Sequence, residues 1–341
     1  MSEKIPVFKQ KPQINLSCPS TGRMWLVCAC AFFCVLQSAL GDGGQSLVIA
    51  LTALLTAILI ELLHTWRGFG FAKICDGSAA ATAMILSIML PNQIHPVYAA
   101  MGTAFAVTVV KYSFGGLGSN WLNPALGGWL FIRFSWPLAF AKALEGSPLS
   151  VSEMIPSSET GAVGSSVTAF FNNNIFSIAG VQLPSGYIDL LFSGGPGFIT
   201  DRGLFALVAG TVVITAIGIN RGWVPLVFLS VYGFLIRMAG DLEGVMWNGD
   251  IIYGLFSGGT IAAAFILAAE PASGAKLKPG ILFTIILGAV LSWFFRYRCM
   301  EYSGCFIALA LVNCLTPVVR LVEEKLFLSR KDRGMFLENA P

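Results

Sequence analysis

The sequence predicts an all-α integral membrane protein with about ten transmembrane segments in two inverted five-helix repeats, each repeat containing broken or half-span helices. Three observations lead to this fold class. Of 341 residues, 55% are hydrophobic and 11% charged, with a mean hydropathy of +0.75, whereas soluble domains hold roughly 25% charged residues. Apolar runs recur near 24–40, 46–64, 74–90, 96–112, 123–141, 204–218, 223–239, 251–268, 280–297 and 304–321. Each of the last five begins about 177 to 184 residues after its counterpart among the first five.

Residues 1–23 form a polar tail carrying Lys4, Lys9, Lys11 and Arg23. This lead is too long for a cleaved signal and nine further apolar runs follow its first, so it reads as a cytoplasmic tail. The first repeat spans 24–141. Five segments carry the chain to the opposite face, so the second repeat, 204–321, enters inverted, and the loop 142–203 lies on the outer face of the inner membrane. Residues 322–341 return to the cytoplasm. With both termini inside, about 15 of the 21 basic residues lie on the cytoplasmic side, as the positive-inside rule requires. The outer side keeps Lys142, Arg202, Arg237, Arg296 and Arg298. These charges are scattered among loops and line no single face, which argues for a lipid bilayer as the surrounding partner and against nucleic acid.

The third and eighth segments are interrupted. DGSAAATAMILSIMLP, residues 76–91, contains a helix from Ser78 to Leu90. At 1.5 Å per residue it reaches about 20 Å, short of the roughly 30 Å hydrocarbon core. Its counterpart is SGGTIAAAFILAAEP, residues 257–271. Asp76 and Ser78 are suited to capping the first helix, and Ser257, Gly258, Gly259 and Thr260 serve the second. In inverted-repeat folds such segments meet near the midplane, where a helix N-terminus favours an anionic or polar ligand. Ser78, Ser257 and Thr260 are therefore candidate binding residues, although capping and small-residue packing use the same side chains.

Arg133, in FIRFSWP, places a charge inside a span, which calls for a carboxylate partner, a solvated path or a bound phosphate. Glu270 precedes Pro271 at a helix end, where solvation is the first reading and ion coordination the second. Cys30 and Cys34, one turn apart, share a helix face and Cys28 lies nearby, but no CxxC pair accompanies them and His64 and His95 are the only histidines, so apolar buried thiols are expected and no metal centre. Cys299 and Cys305 flank an outer loop and are candidates for pairing. The glycine-rich stretch from Lys111 to Trp129 follows no strand and lacks GxGxxG spacing, which excludes a dinucleotide loop. The outer loop exceeds 50 residues, against the 2 to 8 usual between bundled helices, and loops of that length carry function or lack structure.

Taken in order, DGSAAATAMILSIMLP, GGLGSNWLNPA at 115–125, SGGTIAAAFILAAEP and the ten spans resemble the RnfD/NqrB family: the D component of the Rnf electron-transport complex and its relative, the B component of the sodium-pumping NADH:quinone reductase. The resemblance covers nearly the whole chain, and the chain length is similar to the Rnf component. It implies FMN joined through its phosphate to a threonine of the outer loop. The family's acceptor pattern, similar to DxxSxAT, is best matched by GSSVT, with Ser165 at the serine and Thr168 at the acceptor. Val167 replaces the usual alanine and Ala162 the aspartate, with Glu159 the nearest acid upstream, so Thr160 is the fallback acceptor.

The resemblance further implies a second, non-covalent flavin, riboflavin or another, with Arg133 as a contact. It implies the other Rnf subunits (A, B, C, E and G) as partners, with a flavin transferase to attach FMN. The complex would be an ion-translocating ferredoxin:NAD oxidoreductase moving Na+ or H+, in which this chain passes electrons and is not catalytic alone. One alternative is the quinone-reductase component. The other is a non-redox solute channel or transporter of urea-transporter-like fold, which would bind no flavin.

Overall fold

The computed structural model describes residues 20–66, 76–113, 120, 122–145, 191, 197–239 and 251–338, and among them it is all-α. Two helices of 22 residues open it, α1 (Ser20–Gly41) and α2 (Gln45–Trp66). On α2, Ile49, Ala53 and Ala57 are fully buried, whereas Leu55, Leu59 and Leu63 are about 60% exposed. An outward face of that composition is stable only against lipid. The buried face packs on α3 (Ser78–Ile88) and α4 (Pro96–Phe105). α3 is central: ten of its 11 residues are buried.

α4 continues as a π-helical stretch over Ala106–Tyr112. After α5 (Pro124–Ser135) and α6 (Pro137–Ala143), the chain re-enters the described core at α7 (Ile199–Arg202), followed by α8 (Leu204–Ala216) and α9 (Trp223–Ala239). α10 (Ile251–Phe256) and α11 (Thr260–Ala262) are separated by Ser257–Gly258–Gly259, and α11 runs on as a π-helix through Leu267. α12 (Lys278–Trp293) ends in a third π-helical turn, Phe294–Arg298, before α13 (Gly304–Glu338).

Four of these helices, in α1, α2, α12 and α13, are long and apolar enough to cross a membrane, and α3, α8 and α9 are shorter apolar helices. Among the described residues these four are the full-length spans, where the sequence leads one to expect about ten segments, some of them broken or half-span. The reason is local. Trp136 and Pro137 divide the fifth run, because proline supplies no amide hydrogen to the preceding turn. Gly258 and Gly259 divide the eighth.

Irregular backbone within such a bundle needs partners from the protein itself. At the end of α3 they come from the chain entering α7: Ile199 N–H donates to Leu90 O at 3.0 Å and Asn92 N–H to Gly197 O at 2.9 Å. The Asn92 side-chain oxygen accepts from Gly197 N–H at 3.2 Å. Trp129, fully buried, donates its indole N–H to Met89 O at 3.0 Å, and its ring meets Phe140 and Phe306 edge-on.

α1 and α8 pack together, with Cys30 Sγ 3.6 Å from Gly210 O. Cys34 Sγ lies 3.7 Å from Ile199 O. These thiols are thus buried packing groups. Cys299 is exposed while Cys305 is buried, and both are free, so the candidate pairing is not made.

Candidate functional site: two polar clusters at broken helices

The starts of α3 and α11 share a backbone device. Gly77 (φ +72°) and Gly259 (φ +70°) are their N-caps, in the left-handed conformation that suits glycine. The capping position therefore falls to glycine in each case, not to Ser78 or Ser257. Asp76 still satisfies the helix start: its Oδ1 accepts from Ser78 N–H at 2.7 Å and from Ser78 Oγ at 2.6 Å. From the π-helical end of α4, Lys111 Nζ donates to Ser78 Oγ at 2.6 Å and lies 3.4 Å from Glu61 Oε1 of α2. Tyr112 OH reaches the same Glu61 oxygen at 3.3 Å. Lys111 and Glu61 are 3% and 4% exposed, so this pair lies in the core.

The second cluster repeats the plan with different chemistry. Arg296, 2% exposed, sits on the π-helical end of α12. Its Nη1 donates to Gly254 O at 2.9 Å, Ser257 O at 2.8 Å, Thr260 Oγ1 at 3.0 Å and Tyr232 OH at 3.2 Å, and its Nη2 donates to Ser257 Oγ. Five acceptors around one guanidinium satisfy the backbone exposed by the helix break. The anion expected at the start of α11 is the protein's own: Asp201 of α7 accepts from Gly259 N–H at 2.9 Å, Gly258 N–H at 3.2 Å and Tyr302 OH at 2.8 Å. Burial pushes the Asp201 carboxyl up, while the Gly259 and Tyr302 hydrogen bonds pull it down.

Of the residues anticipated from sequence, Ser257 and Thr260 are brought together by Arg296, and Ser78 belongs to the Lys111 cluster. Arg133 is in a third place, paired with Glu301 at 3.1 Å with its guanidinium 5.3 Å from the Phe140 ring. Thr168, Ser165 and Thr160 lie outside the described residues. Lys111, Glu61, Asp201 and Arg296 are not singled out by hydropathy, which places these cations in loops. A signal is nonetheless present: Lys111-Tyr112 and Arg296-Tyr297 recur at nearly the repeat offset.

Glu270 is held by side chains as well as by solvent. Asn123 Nδ2 donates to Glu270 Oε2 at 2.7 Å and Ser273 Oγ donates to it at 2.9 Å. Burial pushes the Glu270 carboxyl up against these two hydrogen bonds. The other end of the Asn123 carboxamide caps α5, accepting from Ala125 N–H at 2.9 Å and Leu126 N–H at 3.2 Å. Both residues line a cavity with Arg23, Val27, Ile85 and Asn220. Asn123→Ala is expected to cost about 0.5–2 kcal/mol through the lost cap, and more through the Glu270 contact. Asn123→Ser keeps an N-cap hydroxyl and lacks the carboxamide donor to Glu270, so thermal denaturation of the two variants separates the contributions.

Residues 7–327 match the family described as NQR2, RnfD, RnfE. The D component of the proton-translocating ferredoxin:NAD(+) oxidoreductase complex of Clostridium ljungdahlii is 26% identical over 94% of this chain and 95% of its own length. The D component of an ion-translocating oxidoreductase complex of Aeromonas hydrophila is 29% identical over 85% of this chain and 89% of its own. The D component of the Na(+)-translocating ferredoxin:NAD(+) oxidoreductase complex of Acetobacterium woodii is 26% identical over 74% and 73%.

Proposed function

Because this chain belongs to the NQR2, RnfD, RnfE family, we propose that it is the D-type membrane component of an ion-translocating ferredoxin:NAD oxidoreductase complex and carries FMN covalently on Thr168. The observation that carries the reading is the end-to-end match to such a component, 94% of this chain against 95% of the relative. In this reading ten spans form two inverted repeats, 24–141 and 204–321. The loop 142–203 faces outward and both termini are cytoplasmic.

The residues around that loop suit a phosphate-bearing group. Among the described residues Arg133 Nε and Arg202 Nε are buried donors without a hydrogen-bond partner, and guanidinium N–H groups are natural phosphate donors. Arg133 lies over Phe140, Phe140 lies 6.2 Å from Phe198, and Phe198 precedes Arg202 by one turn in sequence. Thr168 would tether the flavin, Ser165 would flank the attachment, and Arg133 and Arg202 would hold its phosphate. When bound, FMN supplies electron transfer in single or paired steps, chemistry that no side chain offers. A covalent tether keeps it beside its electron partners at high effective concentration.

The partner components A, B, C, E and G would supply the ferredoxin and NAD sites. A solute pore between the broken helices is disfavoured, because Arg296 and Asp201 already fill the polar groups at the start of α11. The test is direct: the protein, produced with a flavin transferase, is run on a denaturing gel and viewed for flavin fluorescence. The expected band is fluorescent in wild type and dark in Thr168→Val. A dark wild-type band defeats the proposal, and fluorescence surviving Thr168→Val moves the attachment, with Thr160 next to be replaced.

A further inference from the structure

The two clusters differ in one respect that decides what each can do. In the second, the buried cation is an arginine, which does not release its proton in proteins, and Ser257 Oγ donates to the Tyr253 backbone carbonyl. In the first, the cation is a lysine and the serine it touches donates to a carboxylate. The contacts form a continuous line: Lys111 Nζ to Ser78 Oγ at 2.6 Å, and Ser78 Oγ to Asp76 Oδ1 at 2.6 Å. The lysine end is buried and the aspartate end is partly open to solvent.

We propose that Lys111, Ser78 and Asp76 form a proton-exchange relay, through which the buried Lys111 ammonium gains and loses a proton at the membrane face that the basic loops assign to the cytoplasm. In the releasing direction an N–H bond of Lys111 breaks as its proton joins Ser78 Oγ. The Ser78 O–H bond breaks as that proton joins Asp76 Oδ1. The serine hydroxyl is restored, the lysine is a neutral amine and Asp76 a neutral acid, so the charge of the cluster is unchanged. Asp76 then gives its proton to water. The reverse sequence reloads Lys111.

The charged groups bearing on Lys111 are Glu61 of α2 and Asp76. The titratable neighbours are Tyr112, bonded to Glu61, and His64 of α2, whose ring stacks on Tyr112 at 3.9 Å. Glu61 lies off the relay and stabilises the charged lysine, so the pair holds a proton at rest and the serine offers its route out. The second cluster supplies an internal comparison: the corresponding place, filled by Arg296, has neither a titratable cation nor a carboxylate beyond the serine. The proposal uses the topology assigned above only to name the compartment, and it is independent of whether Thr168 carries flavin.

The test is exchange of the Lys111 Nζ hydrogens with solvent, read by nuclear magnetic resonance on purified protein labelled with nitrogen-15 lysine in lipid nanodiscs. The Lys111 signal is identified by its loss in Lys111→Arg. Wild type is expected to exchange fast for so buried a group. Asp76→Asn should slow it by roughly a hundredfold, the lower end of what a positioned proton donor or acceptor contributes. That variant still offers an oxygen to Ser78, so a purely structural role for Asp76 predicts no change. Ser78→Ala should slow exchange comparably while leaving the Lys111–Glu61 pair. Equal rates in wild type and Asp76→Asn, or a wild-type Lys111 signal that does not exchange, overturn the relay.

Discussion

Arg296→Met is expected to lower the unfolding free energy by about 3–5 kcal/mol, the range for removing one partner from a buried charged network. Gly254 O, Ser257 O, Ser257 Oγ, Thr260 Oγ1 and Tyr232 OH all lose a donor from the guanidinium. Each buried acceptor left unsatisfied costs about 1–3 kcal/mol, and relaxation of the break between α10 and α11 recovers part of that sum. Methionine has similar reach but supplies no hydrogen bond. The comparison is Arg133→Met, whose salt bridge has side chains 23% and 26% exposed and should contribute about 1 kcal/mol or less. Thermal denaturation in one detergent measures both, and equal losses would show that Arg296 is not what holds the broken helix together.

Gly259→Ala should be nearly as damaging, for two separable reasons. The backbone there has φ +70°, and a side chain in that conformation costs about 1–2 kcal/mol. A Cβ would also stand 2.3 Å from the Phe306 ring, in a core where overpacking costs about 1–3 kcal/mol. Gly43 has the same φ, +70°, with nothing within 4 Å of where a methyl group would stand. Gly43→Ala therefore carries only the backbone cost, and the difference between the two melting shifts isolates the clash with Phe306.

The membrane class, the order of apolar runs and the two interrupted segments are legible in composition and spacing, because these depend on average polarity and on proline and glycine positions. What hydropathy does not reveal is direction. Arg296 ends an apolar run and reads as a loop charge. The structure instead extends α12 by a π-helical turn and aims the guanidinium at carbonyls about forty residues earlier in sequence, at Gly254 and Ser257. Asp201 likewise reads as part of the outer loop, yet it is 9% exposed and caps α11. Ser78 reads as a cap and serves as the acceptor for Lys111, because Gly77 occupies the capping position. Arg133 calls for a phosphate or a carboxylate: Glu301 meets its Nη2, and its Nε has no partner among the described residues.

One short segment touches both interrupted helices. Gly197 and Ile199 hold Leu90 and Asn92 through backbone hydrogen bonds, and Asp201, two residues on, holds Gly258 and Gly259. Inverted-repeat carriers open by rocking one repeat against the other. Residues 197–202 tie the end of α3 to the break before α11 like a bolt, and any rocking of one against the other would tear an attachment away.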